Sequence, residues 1–229
     1  MATYVLIHGA AADAWYWGPL AAELRGRGHE VIAPDLPCRD ESAGLGAYAD
    51  AVVGAIGGRT ELVVVAHSFG GFTGPLVCAR VPVDLLVMLQ AQIPAPGETP
   101  GAWWDTTGYG GARQEADRQR GVPEGAEEDP VTLYLHDTPA ELAAELMTHH
   151  QQPQAAAPFG DPWPLGAWPQ VPTEVLLSAG DRFFPVEFMR RLAVERLGIE
   201  PDEMPGDHLP MLGHPEELAE RLEAYRAQL

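Results

Sequence analysis

Three residue types that together perform acyl transfer occur in this chain in a fixed order. The first lies in Val63-Val64-Val65-Ala66-His67-Ser68-Phe69-Gly70-Gly71, where an apolar run passes through small-x-Ser-x-Gly into a helix-like segment. A turn this tight admits only small residues two places before and after the serine, here Ala66 and Gly70, and it lifts the hydroxyl out at a sheet edge. The plainer alternative is a serine that caps a helix. Of Ser42, Ser68 and Ser178, only Ser68 has the strand-turn-helix setting. A serine hydroxyl is a weak nucleophile at neutral pH and needs a base, which an acid must orient.

The chain order that accompanies such a turn is serine, acid, histidine. Leu176-Leu177-Ser178-Ala179-Gly180-Asp181 reads as a strand that ends on an acid, 113 residues after Ser68. Its plainer alternative is a turn or cap aspartate. The preceding apolar run ends at Leu89-Gln90 and offers no rival acid. His208 follows Asp181 by 27 residues, in Asp207-His208-Leu209-Pro210-Met211-Leu212, on a loop before the last helix. His214 is the alternative base, but it abuts that helix and reads as a surface residue. His67 reads as local packing, and His149 and His150 as surface or gate residues. The loop after the first strand, His8-Gly9-Ala10-Ala11, and the residue after the nucleophile are the places for oxyanion donors, so the backbone N–H groups of Ala10 and Phe69 are the candidates. No group of His, Cys and carboxylates has metal-ligand spacing, so no metal is expected and no cofactor is implied.

The elements that must hold these residues are short apolar runs alternating with helix-like segments, the pattern of a parallel sheet covered on both faces. Strands are expected at Tyr4–Ile7, Glu30–Ala33, Leu62–Val65, Asp84–Leu89 and Glu174–Ser178, with a weaker sixth near Gly198–Glu203. Helices are expected near Trp17–Arg25, Ala47–Gly57, Phe69–Arg80, Pro185–Leu197 and Pro215–Ala227. The stretch from Ile93 to Pro172 breaks the alternation. It is rich in Pro, Gly, Ala and Trp, has one clear helix pattern from Pro139 to His149, and is too long for a plain connection. It reads as a cap inserted over the carboxyl edge of the sheet, where such folds place their sites.

Composition narrows the chemistry. The 229 residues carry a formal charge of −19, and all 14 basic residues are arginine. Without lysine there is no Schiff base, P-loop lysine or Ser–Lys dyad. Nucleic acid is disfavoured as a partner, because phosphate contacts need a basic patch, and anionic lipid for the same reason. The acidic excess is greatest after residue 100, so neutral substrates are favoured over anionic ones. Cys38 and Cys78 read as free residues. The opening run lacks the basic flank of a signal peptide, and no apolar stretch reaches the ~20 residues of a membrane span. The expectation is a cytoplasmic protein, with its oligomeric state unread.

Together the motifs Ile7-His8-Gly9-Ala10, Asp35-Leu36, Ala66-His67-Ser68-Phe69-Gly70-Gly71, Gly180-Asp181-Arg182 and Asp207-His208-Leu209-Pro210-Met211-Leu212 resemble the α/β-hydrolase family over nearly the whole chain. Starting at the His-Gly strand, the chain is similar to the compact branch of plant methyl-ester esterases, hydroxynitrile lyases and small actinobacterial carboxylesterase-like proteins. The resemblance implies a doubly wound, six-stranded parallel sheet, with a core of residues 1–92 and 173–229 and a mainly helical cap at 93–172. It also implies a Ser68–His208–Asp181 triad that cleaves a small or medium neutral carboxylic ester through an acyl-enzyme. A lyase of this branch has Thr and Lys where this chain has Gly9 and Leu209, which argues against that chemistry. Ser rather than Asp at position 68 argues against epoxide hydrolase and haloalkane dehalogenase chemistry. A natural-product thioesterase, cyclase or lyase with the same triad stays open, as does a ligand-binding protein with a vestigial one. Trp103, Trp104, Tyr109, Met147 and Phe159 are expected to line an apolar pocket, or else to pack the cap on the core, and Phe69 to narrow the acyl side.

Overall fold

A computed structural model of the chain describes residues 1–126, 129–149 and 153–229. Its strands are β1 (Thr3–Ile7), β2 (Glu30–Ile32), β3 (Leu62–His67), β4 (Leu85–Leu89), β5 (Thr173–Ser178) and β6 (Asp202–Met204). They form one parallel sheet in the order β2-β1-β3-β4-β5-β6. The sixth strand lies later than the sequence suggests. Asp202-Glu203-Met204 carries no β-branched run, and only edge pairing with β5 makes it a strand.

Alternate strand residues feed two separate cores. Val5, Ile7, Val64, Ala66, Leu86 and Met88 face the helices α2 (Leu45–Ile56), α3 (Gly74–Cys78) and α9 (Val186–Leu197). Tyr4, Leu6, Val63, Val65, Val87 and Leu89 face α1 (Gly18–Gly26) and α11 (Pro215–Arg226). The period of two sends successive side chains to opposite faces, so strands apolar at every position are what a doubly covered sheet requires.

Sheet order reverses between β1 and β3: the chain leaves β1 toward β2 and then returns to pair β3 on its other side. Such a switch point opens a crevice at the carboxyl ends of the two strands. The register pairs Ile7 with Ala66, which puts the His8–Ala12 loop beside Ser68.

Between β4 and β5 the chain forms α4 (Pro100–Thr106), α5 (Tyr109–Arg120), α6 (Pro130–Tyr134), α7 (Ala140–Thr148) and α8 (Ala157–Gly160). Threonine and aspartate side chains cap two of these starts: Thr99 accepts from the Ala102 N–H, and Asp129 from the Thr132 N–H. This segment is rooted in both cores. Trp103 and Trp163 are buried with the α9 face, whereas Leu135, Ala143 and Leu146 are buried with the α1–α11 face. After β6 come α10 (Pro210–Gly213) and α11.

Trp103 is fully buried, and its indole N–H donates to the Ile93 carbonyl at 3.1 Å. Trp103→Ala therefore removes a large buried ring and one of two donors to that carbonyl, the other being Arg196. It is expected to cost about 3–5 kcal/mol in urea unfolding, and a loss below about 1 kcal/mol would contradict this packing.

Candidate active site

The turn after β3 is built by crowding. Ser68 sits at φ +52°, a left-handed conformation uncommon for a residue with a side chain. A Cβ on Gly70 would lie 2.9 Å from the Ile7 carbonyl oxygen and 3.0 Å from that of His8. A Cβ on Gly71 would lie 2.0 Å from the Gln92 carbonyl oxygen. The glycines thus let the turn press against the ends of both neighbouring strands. The helix expected over Phe69–Arg80 is a 3₁₀ turn, Ser68–Phe72, followed by the short α3. Three glycines and a proline within seven residues suit a tight turn better than a continuous helix.

Two other loops converge on this turn. The Ala179 and Gly180 N–H groups donate to the carbonyls of Met204 and Gly206, so the loops after β5 and β6 run together. One carries Asp181 and the other His208, both buried. His208 Nδ1 lies 2.7 Å from Asp181 Oδ2, and His208 Nε2 lies 3.1 Å from Ser68 Oγ. A carboxylate only accepts, so Nδ1 carries the proton and donates to Asp181. In the neutral ring Nε2 then accepts from the serine hydroxyl. Asp181 Oδ1 also accepts from the N–H groups of Phe183 (2.7 Å) and Phe184 (3.0 Å). The structure thus brings the three expected residues into one hydrogen-bonded line.

The remaining histidines are more specific than the sequence suggests. His67 reaches across 141 residues of chain, and its Nε2–H donates to the His208 carbonyl at 2.8 Å. Burial, and then the neighbouring His208, hold its ring far below the ordinary histidine range, so it stays neutral. His8 Nε2 accepts from the Leu36 N–H at 3.1 Å, which leaves its proton on Nδ1 to donate to the Gly9 carbonyl at 2.8 Å. Burial lowers this ring's pKa too. Holding the Gly9 carbonyl fixes the plane of the Gly9–Ala10 peptide, and the Ala10 N–H projects from the opposite side of that plane. Phe69 stands at the start of the 3₁₀ turn, before its first internal bond, so its N–H has no partner inside the turn. Asp207, next to the candidate base, is buried and accepts from the Leu209 N–H, the Asp137 N–H and the Thr138 hydroxyl at 2.8–3.0 Å. His214 instead pairs with Asp137 at 2.8 Å. His149 pairs with Asp13 at 2.9 Å and stacks on Trp15, joining the end of α7 to the loop after β1. His150 lies outside the described residues.

A cavity of about 280 Å³ opens over Ser68 and His208. Its walls include Ala10–Ala12, Tyr16, Trp17, Tyr134, Leu135, Leu146, Met147, Phe183, Leu209 and Met211, and among the described residues no Asp, Glu or Arg lines it. Of the five side chains expected there, Met147 is a wall residue. Trp103, Trp104 and Tyr109 are instead clustered with Phe184 in the aromatic core. Phe159 stacks on Phe69, whose ring is buried against Tyr48 and Phe72 and does not line the cavity. Aromatic residues in the inserted segment serve two purposes, rooting it and facing the cavity, and composition does not separate them. Tyr16, Trp17 and Phe183, which the sequence does not single out as pocket residues, do line it. Among the described residues no group of three His, Cys, Asp or Glu side chains could hold a metal ion, and no helix is long and apolar enough to cross a membrane.

This arrangement is that of an α/β hydrolase. The chain matches the alpha/beta hydrolase family over residues 4–221 and belongs to it. It is 38% identical over 111 residues to a probable esterase, PIR7A, of Oryza sativa subsp. indica, a match that spans 43% of this chain and 42% of that protein. It is 28% identical over 246 residues to a carbendazim hydrolyzing esterase of Nocardioides sp., spanning 98% of this chain and 99% of that one. Among solved structures, the methylesterase MES16 from Arabidopsis superposes with a TM-score of 0.77 at 18% identity, with all of both chains covered, a likeness of fold.

The neutral His67 has a consequence for stability. Its folded pKa lies below its unfolded one, so as pH falls below about 6.5 the unfolded chain gains a proton that the folded chain refuses. Folding stability is expected to drop between pH 7.5 and 5.5, by up to about 1.4 kcal/mol per pH unit from this residue below pH 6.5. Urea midpoints should show a shallower drop in His67→Gln. A drop of unchanged steepness would contradict the assignment.

Proposed function

We propose that the protein is a serine carboxylesterase that cleaves small or medium neutral esters. The observation that carries this reading is the line Asp181 Oδ2, His208 Nδ1, His208 Nε2, Ser68 Oγ, with spans of 2.7 and 3.1 Å. Ser68 attacks the acyl carbon as His208 takes its proton, and Asp181 orients the ring and stabilises the imidazolium that forms. The N–H groups of Ala10 and Phe69 receive the oxyanion, each contributing about 3–4 kcal/mol of transition-state stabilisation. His208 returns its proton to the departing alkoxide. It then draws a proton from a water that attacks the acyl carbon, and returns that proton to Ser68 Oγ as the acyl–oxygen bond breaks, which releases the acid and restores the serine.

Residues 93–172 act in this reading as the cap, with Tyr134, Leu135, Leu146 and Met147 as its contribution to the cavity wall. The lack of Asp, Glu and Arg among the described residues of that wall, together with the chain's charge of −19, supports a neutral substrate. The cavity volume supports a modest one. The names of the relatives, a probable esterase and a carbendazim hydrolyzing esterase, support the reaction class and leave the physiological ester unassigned.

The wild-type protein is expected to hydrolyse p-nitrophenyl acetate and to react with a fluorophosphonate probe. Ser68→Ala should lower kcat/KM by at least about 10³ and abolish labelling, with the circular dichroism spectrum unchanged. Turnover in the variant within tenfold of wild type would overturn the assignment. An unlabelled wild-type protein would point instead to a ligand-binding role for the same cavity.

A further inference from the structure

Gln90 follows β4 directly and has no acidic or nucleophilic chemistry of its own. Its setting is nevertheless unusual in three independent ways. It is completely buried. Its backbone is held at φ +43°, a region that disfavours any residue with a Cβ. Its side-chain Oε1 is buried with no hydrogen-bond partner. Strained backbone and orphaned buried polar atoms work against stability, and they persist where something else depends on the residue.

What depends on it is visible at the other end of the amide. Gln90 Nε2 donates to Asp181 Oδ2 at 2.8 Å and to the Ser178 carbonyl at 3.1 Å. Both partners only accept, which fixes the amide with its nitrogen toward Asp181. The oxygen it holds is the one that faces His208 Nδ1. The backbone fixes the donor in turn, because the Gln90 N–H bonds to the Leu176 carbonyl of β5 at 3.0 Å. The Asp181 carboxylate therefore has one oxygen tied by two backbone N–H groups, and the other shared between Gln90 and His208.

We propose that Gln90 is a positioning residue of the triad: its amide N–H holds Asp181 Oδ2 in line with His208 Nδ1 and takes up part of the carboxylate charge. The inference rests on the reading of Ser68, His208 and Asp181 as a working triad. Gln90 touches neither substrate nor serine and acts only through Asp181. The titratable groups facing this pair include His67 from the nucleophile turn, Tyr109 from α5, Tyr134 from α6 and His136 from the loop after it. Arg182 is turned away to the Thr132 carbonyl.

The test uses two variants of nearly equal size. Gln90→Leu removes the donor. Its kcat on p-nitrophenyl acetate is expected to fall at least about tenfold at every pH, the effect of one hydrogen bond to a charged group, with KM within about twofold. Gln90→Glu places a second carboxyl beside Asp181. Two carboxylates this close share a proton, and the shared proton restores the missing donor. Gln90→Glu is therefore expected to approach wild-type kcat near pH 6 and to fall toward the Gln90→Leu level as the pH rises, a new alkaline limb that a packing role would not create. The proposal is overturned if Gln90→Leu keeps kcat within twofold of wild type, or if Gln90→Glu tracks Gln90→Leu across the whole pH range. A reading independent of turnover separates this failure from failure of the esterase assignment. In ¹H NMR, the resonance of the His208 Nδ1–H that Asp181 accepts is expected to shift in Gln90→Leu, because the carboxylate oxygen has lost its second donor. An unmoved resonance overturns the role of Gln90 even in a protein that hydrolyses no ester. Should Gln90→Leu fail to fold, the pH dependence of Gln90→Glu decides alone.

Discussion

The site depends on a steric constraint: the chain leaving β3 reverses in contact with the ends of two neighbouring strands. Gly70 lies against the carbonyls that close β1, and Gly71 against Gln92 beyond β4. Only a residue without Cβ fits either place, and the reversal holds Ser68 at φ +52°. Parallel pairing of β1 with β3 at the switch point then decides what the serine meets. It stands beside the Gly9–Ala10 peptide on one side and beneath the loops from β5 and β6 on the other.

Around that turn, hydrogen bonds from neutral groups fix the reacting ones. His8 fixes the Gly9 carbonyl and His67 the carbonyl of His208, while the buried Asp207 carboxylate accepts from the N–H groups of Leu209 and Asp137. Asp181 receives four donors, none from lysine or arginine. A carboxylate held by neutral dipoles keeps its charge available to the imidazole, whereas an ion pair with a cation would compete for it. The chain has no lysine, and Arg182 beside Asp181 bonds elsewhere.

Much of this was legible in the residues because the motifs sit at strand ends, where type and place coincide. Ala66-x-Ser68-x-Gly70, the terminal Asp181 and the loop-borne His208 each combine a reactive group with an apolar run that dictates its position. What stayed hidden depends on neighbours distant in sequence. Gln90 carries no signal, since its meaning comes from β5 lying beside β4. His67 looked like local packing, because its partner is 141 residues away. β6 lies later than the sequence suggests, since a polar Asp-Glu-Met triplet becomes a strand only through its pairing. Trp103, Trp104, Tyr109 and Phe159 read equally as cavity lining or as cap packing, because aromatic residues favour both pockets and cores, and a sequence does not say which way a ring turns.

The central claim is that the hydrogen-bonded line from Asp181 to Ser68 makes that one hydroxyl a nucleophile. Mass spectrometry of the protein acid-quenched during turnover of a p-nitrophenyl ester tests it most directly. The account predicts a covalent mass increase equal to the acyl group, mapped to the peptide containing Ser68. No adduct under conditions of measurable turnover, or an adduct on any other residue, would contradict it.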